Sequence, residues 1–124
     1  MAVKIWALDR KLRGLTKPIK RSAEQLLNLF KRADNFLEIY LVNRRFMNKN
    51  VLAFRAPKNF PRPDINGRSL GEIYLNPQYI KRHRENIFFM LAHGFLHLLG
   101  YDHQRKSDRL KMEEKEQQLL KLLK

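Results

Sequence analysis

The chain has 124 residues, of which 44% are hydrophobic, so it is long enough to fold as one domain over residues 1–124. It has no cysteine, which excludes disulfides, a thiolate metal site and a cysteine nucleophile. Its 26 Lys and Arg residues against 12 Asp and Glu residues give a net charge of +14, which favours a polyanionic partner such as nucleic acid.

The first half of the chain predicts a strand, a helix and a second strand. Residues 2–8 are mostly apolar and predict a short strand. Pro18 is predicted to open a helix of about four turns, because apolar side chains recur after it at helical spacing. Asp34 and Asn35 end this helix. Residues 36–42 are rich in β-branched and aromatic side chains, which is typical of a buried strand.

Two more strands are predicted in the middle of the chain, over residues 51–54 and 70–75. Between them, residues 56–69 are rich in proline and contain a glycine, which predicts a surface loop. Asn76 and Pro77 then supply an N-cap and a first-turn proline. They are predicted to begin one long helix that runs to Leu98 or Leu99.

A final helix is predicted to begin at Ser107 or Asp108, since either side chain can act as an N-cap. Residues 113–118 are predicted to form its solvated face. Its apolar face is predicted to comprise Met112, Leu119, Leu120 and Leu123. This order of elements predicts an α+β domain with one four-stranded sheet, packed against helices mostly on one side, and with the long helix in the core.

Three of the four histidines lie within residues 93–103. His93 and His97 are four residues apart and therefore share one face of a helix. A straight helix would carry His103 about 15 Å away, but Gly100 can adopt the left-handed conformation that ends a helix and turns the chain back. Three imidazoles with an open fourth position are typical of a catalytic zinc site, although buried helices also carry ordinary histidines.

The same spacing occurs in the metzincin peptidases, whose signature is H-E-x-x-H-x-x-G-x-x-H. Those enzymes need the glutamate after the first histidine as the general base. In this chain that position is Gly94, which has no side chain. The ligand spacing of a peptidase is therefore present, whereas its base is missing.

Residues 93–103 resemble the signature of the YbeY family, H-G-x-L-H-L-x-G-Y/H-D-H. Two further stretches agree: residues 50–54 resemble T-D/N-V-L-S-F, and residues 70–75 resemble L-G-D-I-x-I. The resemblance implies a cytoplasmic, single-strand-specific endoribonuclease that acts in ribosomal RNA maturation and ribosome quality control, with ribosomal proteins as further partners. It also implies one Zn²⁺ per chain, held by His93, His97 and His103.

The chain departs from the family pattern before the third strand. Family members carry Y-R-x-K-D-x-P-T there, and the arginine is important for activity. The corresponding segment of this chain is shorter, and Met47 takes the place of the arginine if Phe46 takes that of the tyrosine. Arg45 is therefore the candidate catalytic residue, with Arg44 and Arg55 as alternatives.

Two other functions stay open at this point. One is a zinc metallopeptidase-like hydrolase whose base comes from elsewhere in the chain. The other is a ribosome-associated RNA-binding protein with a non-catalytic zinc. Asp102 could orient an imidazole or simply form a turn at the helix end. The longest apolar run, residues 87–99, is too short to span a bilayer and contains two histidines, so no membrane association is expected.

Overall fold

The computed structural model of the chain describes residues 3–32, 34–56, 68–100 and 106–122. Most of the predicted loop over residues 56–69 lies outside these ranges, and so do Asp102 and His103.

Within the described residues, four strands form one sheet, as the sequence predicted, and their pairing makes the sheet mixed. They are β1 (Val3–Ala7), β2 (Asn35–Leu41), β3 (Val51–Arg55) and β4 (Arg68–Leu75). Their order across the sheet is β1-β2-β4-β3, so the last strand in the chain lies between the second and the third. β1 pairs with β2 and β2 pairs with β4 in parallel, whereas β3 pairs with β4 antiparallel. β3 is therefore an edge strand.

The helices are α1 (Thr16–Leu29), α2 (Pro77–Arg82), α3 (Ile87–Leu98) and α4 (Lys106–Leu122). A short 3₁₀ helix, Arg10–Leu15, precedes α1 and was not predicted. The four α-helices and the sheet of the described residues confirm the α+β class. No helix within the described ranges is both long and apolar enough to cross a membrane.

The prediction of one long helix from Pro77 to Leu98 or Leu99 is wrong, because the chain breaks between α2 and α3. Arg84 adopts a left-handed φ of 57°, and the backbone N–H of Glu85 donates to the carbonyl of Ile80 at 2.9 Å. This is the hydrogen-bond pattern of a helix C-terminus. Asn86 then begins α3, and its side chain accepts from the N–H groups of the second and third residues that follow it.

The predicted N-cap of the last helix is also corrected. α4 begins at Lys106, so Ser107 and Asp108 lie in its first turn instead of before it. The predicted solvated face contains one buried residue, Glu116, which is only 3% exposed. Met112 and Leu119 are buried as predicted. Their spacing of four and three residues around Glu116 places all three on the face of α4 that packs on α3.

The two faces of the sheet differ in composition. The covered face packs against α1 and α3 and is made of aliphatic side chains that are fully buried, including Leu37, Ile39, Ile73 and Leu75. The opposite face, here named the aromatic face, carries a row of rings on neighbouring strands that are stacked on one another: Trp6, Tyr40 and Tyr74, followed by Phe46. The hydrophobic core therefore lies between the sheet and the helices, and α3 runs through it.

Candidate metal centre

Helix α3 brings His93 and His97 together. They are one turn apart on the helix, and their Nε2 atoms lie 3.1 Å from each other. The two rings are steeply inclined, at 71°, with centroids 4.7 Å apart. Both residues are partly exposed, although most of their neighbours in α3 are buried. The helix thus presents two imidazole nitrogens at one point on the edge of the core.

The chain leaves α3 at Gly100, as the sequence predicted. The helix ends at Leu98, and Gly100 has a left-handed φ of +101°. Its N–H donates to the carbonyl of His97 at 3.0 Å. A residue with a Cβ would be strained in this conformation, which explains why glycine stands there. His103 follows outside the described ranges, so its role as a third ligand stays a prediction.

Glu116 is the residue of the site that the sequence analysis missed. Its Oε1 lies 2.7 Å from Nδ1 of His93, on the side of the ring opposite the nitrogen that faces His97. The side chain of Glu116 is 4% exposed and that of His93 is 23% exposed. One signal in the sequence pointed to it, because Glu116 occupies a position on the apolar stripe of α4 where an aliphatic side chain is expected.

Gly94 lies at the contact between α3 and the sheet. A Cβ added there would come within 3.2 Å of Cγ2 of Ile73 and within 3.2 Å of Cγ2 of Val51. These distances are shorter than ordinary van der Waals contact, so α3 packs this closely because residue 94 has no side chain. The position that carries the base in metzincins is therefore directed at β3 and β4 in this chain.

Arg55 lines the same cavity as the two histidines. The cavity has a volume of about 360 Å³, and β3 forms its other wall through Val51, Leu52, Ala53 and Arg55. Arg55 is exposed and ends the strand. His93 also lines a second cavity, of about 650 Å³, together with Glu113 and Glu116 of α4.

Arg44 and Arg45 lie elsewhere. Both are exposed and line a separate cavity of about 380 Å³ together with Asp9 and Asn43. The hydrogen bond from the backbone N–H of Lys11 lowers the pKa of the Asp9 carboxyl, and the side chain of Asn43 adds to this effect. Since this cavity contains neither His93 nor His97, a catalytic role for Arg45 stays a prediction that the described geometry does not support.

Met47, which takes the place of the family's arginine if Phe46 takes that of the tyrosine, is 9% exposed. Its carbonyl accepts a hydrogen bond from the Asn76 side chain at 2.9 Å, which fixes the segment before β3 against the start of α2. Met47 therefore contributes to the packing of this segment.

Comparison with known proteins agrees with the resemblance seen in the motifs. The family model described as endoribonuclease YbeY matches residues 37–124. A protein named endoribonuclease YbeY from Thermodesulfovibrio yellowstonii is 34% identical over 129 residues, covering 94% of this chain and 77% of its own length.

The chain belongs to the YbeY family.

Other relatives with the same name match over shorter stretches. The protein from Staphylococcus carnosus is 35% identical over 94 residues, covering 63% of this chain and 60% of the relative. The protein from Anaplasma marginale is 39% identical over 79 residues, covering 57% of this chain and 48% of the relative. For several YbeY proteins, the match thus spans less than two thirds of the relative's length.

The donors of the described ranges fit a metal ion of the kind that the YbeY resemblance implies. Two nitrogens bound to a tetrahedral zinc at about 2.0–2.1 Å lie about 3.3–3.4 Å apart, close to the 3.1 Å between the Nε2 atoms of His93 and His97. A carboxylate can only accept a hydrogen bond, so Glu116 places the proton of a neutral His93 on Nδ1 and leaves the lone pair on Nε2. No group of three or more His, Cys, Asp or Glu side chains suited to a metal occurs among the described residues, which exclude His103.

Proposed function

We propose that this chain is a zinc-dependent endoribonuclease that acts on single-stranded RNA in ribosomal RNA maturation and ribosome quality control, with residues 1–124 as one YbeY-like domain. The observation that supports it most directly is the pair of Nε2 atoms of His93 and His97, facing each other on α3 of a YbeY-family chain. The names of the relatives support endoribonuclease, hence hydrolase, activity.

We infer that His93, His97 and His103 hold the metal. When bound, zinc supplies Lewis acidity toward a phosphoryl oxygen. The chain's own groups prepare the site. His93 and His97 direct their Nε2 atoms to one point, and Gly100 has the positive φ that allows the chain to turn back after α3. We expect this turn to bring His103 to the same ion as His97.

Among the arginines whose side chains are described, Arg55 is the best placed to bind a phosphate next to the metal. It lines the cavity of the histidine pair, and a guanidinium can pair with two phosphate oxygens in a forked geometry. Arg45 is the alternative that the sequence favours. The two are separated by comparing Arg55→Ala with Arg45→Ala: we expect the first to reduce cleavage by tenfold or more and the second to leave it within about twofold.

RNA is the proposed partner because of the charge of the chain. With a net charge of +14, binding to RNA should weaken steeply with salt, with a log–log slope of several units. Exposed basic residues on several elements would contact phosphates, including Lys4, Arg21, Arg44, Arg45, Lys81 and Arg82. A cytoplasmic location and contact with ribosomal proteins follow from a ribosomal RNA substrate and belong to the same proposal.

A peptidase is disfavoured by the surroundings of Gly94. A Cβ at residue 94 would already contact the side chains of Ile73 and Val51, so a glutamate at this position would lie between α3 and the sheet. A non-catalytic zinc in an RNA-binding protein is disfavoured by the YbeY names of the relatives.

The test is cleavage of a labelled single-stranded RNA by the zinc-loaded protein, beside a casein control. His93→Ala should abolish cleavage and leave most RNA affinity intact, because affinity comes from many surface cations and bond breaking needs one metal. His83→Ala is the matched control. His83 is exposed at the end of α2, stacked on Tyr79, and should be dispensable. Casein hydrolysis without RNA cleavage, or equal RNA cleavage by His93→Ala, would overturn the proposal.

A further inference from the structure

Glu116 is a buried carboxylate that the proposed reaction does not itself require. It is 3% exposed and lies on α4 between two buried apolar residues, Met112 and Leu119. Burying an ionised carboxylate is costly unless it is paired and hydrogen-bonded. An aliphatic residue would suit the contact between α4 and α3 better. The position of Glu116 is therefore explained by what its carboxylate contacts.

The contact is a short hydrogen bond between Nδ1 of His93 and Oε1 of Glu116, 2.7 Å long. This length is typical of bonds in which one partner is ionised. The bond joins two helices, because His93 belongs to α3 and Glu116 to α4. It fixes the plane of the imidazole as well as the position of its proton.

The other nitrogen of the same ring is Nε2, which lies 3.1 Å from Nε2 of His97. A neutral imidazole with its proton on Nδ1 offers its lone pair from Nε2. Histidines that bind metals commonly donate their second ring N–H to a carboxylate or a carbonyl in this way. Glu116 thus contacts one nitrogen of the His93 ring, and the other nitrogen of the same ring faces His97.

We propose that Glu116 is a positioning residue for the metal centre. It holds His93 with the proton on Nδ1 and the ring turned so that Nε2 faces His97. The proposal rests on the proposed function for the nature of the ion. It assigns to α4 the orienting role that the sequence analysis considered for Asp102.

Three variants test this inference, with Zn²⁺ alone as the probe. Zinc affinity is measured at fixed pH by competition with a chromophoric chelator. Glu116→Ala should lose affinity about 10- to 100-fold, the usual effect of removing such a carboxylate. Glu116→Gln keeps the size and one acceptor oxygen and should lose less. Glu113→Gln is the matched control, since Glu113 is exposed on the same helix and lines the same cavity. It should bind zinc as the parent does.

A second measurement separates positioning from a purely structural role. The metal-free protein is labelled with ¹⁵N in its imidazoles, and the tautomer of His93 is read by NMR. The parent and Glu116→Gln should carry the proton on Nδ1, whereas Glu116→Ala should populate the form with the proton on Nε2. If Glu116→Ala does not fold, reduced zinc affinity of Glu116→Gln at unchanged thermal stability supports the proposal.

Two results would overturn it: unchanged zinc affinity in every folded Glu116 variant, or an unchanged His93 tautomer in a folded Glu116→Ala. Failure of the proposed function is recognised separately. If the parent binds zinc, Glu116→Ala binds it more weakly and the parent cleaves no RNA, the positioning role of Glu116 stands and the endoribonuclease proposal is refuted.

Discussion

The two faces of the sheet are stabilised in different ways, although neighbouring residues of the same strands form both. On β4, Ile73 points to the covered face and is fully buried against α3, whereas Tyr74 points to the aromatic face and stacks between Tyr40 and Phe46. The covered face is packed so closely that residue 94 of α3 has no room for a Cβ without displacement. The aromatic face uses rings that remain partly or largely exposed, with Phe46 at 58%.

This difference shows where the chain can hold a fixed geometry. The histidine pair stands on the helix that packs on the aliphatic face, where close contacts on both sides of α3 fix its position. The aromatic face is stabilised by stacking between rings on neighbouring strands, which contributes less per pair than burial. Substitutions on the two faces should therefore differ in their effect on stability and on zinc binding.

The largest effect is expected from Ile73→Ala on the covered face. Removing a fully buried side chain that contacts α3 leaves a cavity and should lower the free energy of unfolding by about 3–4 kcal/mol. Urea denaturation of the metal-free protein measures it. A loss below about 1 kcal/mol would mean that α3 and the sheet are not closely packed at this point.

Gly94→Glu should be the next most severe. The new side chain would be forced between Ile73 and Val51, which combines overpacking with a buried charge and should cost about 3 kcal/mol. Gly94→Ala is the control for size. Its better helix propensity, about 1 kcal/mol, should offset most of the crowding from one methyl group. Gly94→Glu as stable as Gly94→Ala would show that residue 94 does not face the sheet.

Phe46→Ala tests the aromatic face and should cost about 1 kcal/mol or less. The ring is more than half exposed and contacts Tyr74 by stacking, with centroids 5.5 Å apart. Zinc affinity should be unchanged, because the ring lies on the side of the sheet opposite α3. A loss as large as that of Ile73→Ala would remove the distinction between the two faces.

The smallest effect concerns the ionisation of Tyr74. Burial raises the pKa of its hydroxyl, and the hydrogen bond that it donates to Glu72 at 2.7 Å raises it further. The folded protein favours the neutral ring, so this contribution to stability is complete below the ordinary value of 10.0 and is lost only as the pH rises above it. The difference in phenolate absorbance between the parent and Tyr74→Phe should be close to zero at pH 10. A half-ionised Tyr74 there would contradict the geometry.

The sequence predicted the four strands, α1 and the end of α3, because apolar periodicity and Gly100 are local signals. It did not predict the break before α3, since Arg84 adopts a left-handed conformation that usually requires glycine. It also placed Glu116 on a solvated face, because the charges around it on α4 conceal the apolar stripe. Arg55 lines the histidine cavity because β3 pairs at the sheet edge beside α3. Local sequence patterns do not determine the order of strands in a sheet, so this position could not be predicted.

Under the proposed function, the bond between His93 and Glu116 would couple two equilibria, the docking of α4 on α3 and the binding of an ion at the histidine pair. By thermodynamic reciprocity, the factor by which docking of α4 raises the affinity for the ion equals the factor by which the bound ion favours the docking of α4. The amide protons of α4 are then a remote reporter of site occupancy. Their exchange with solvent should slow as the site fills, by the same factor by which the docked helix raises the affinity for the ion.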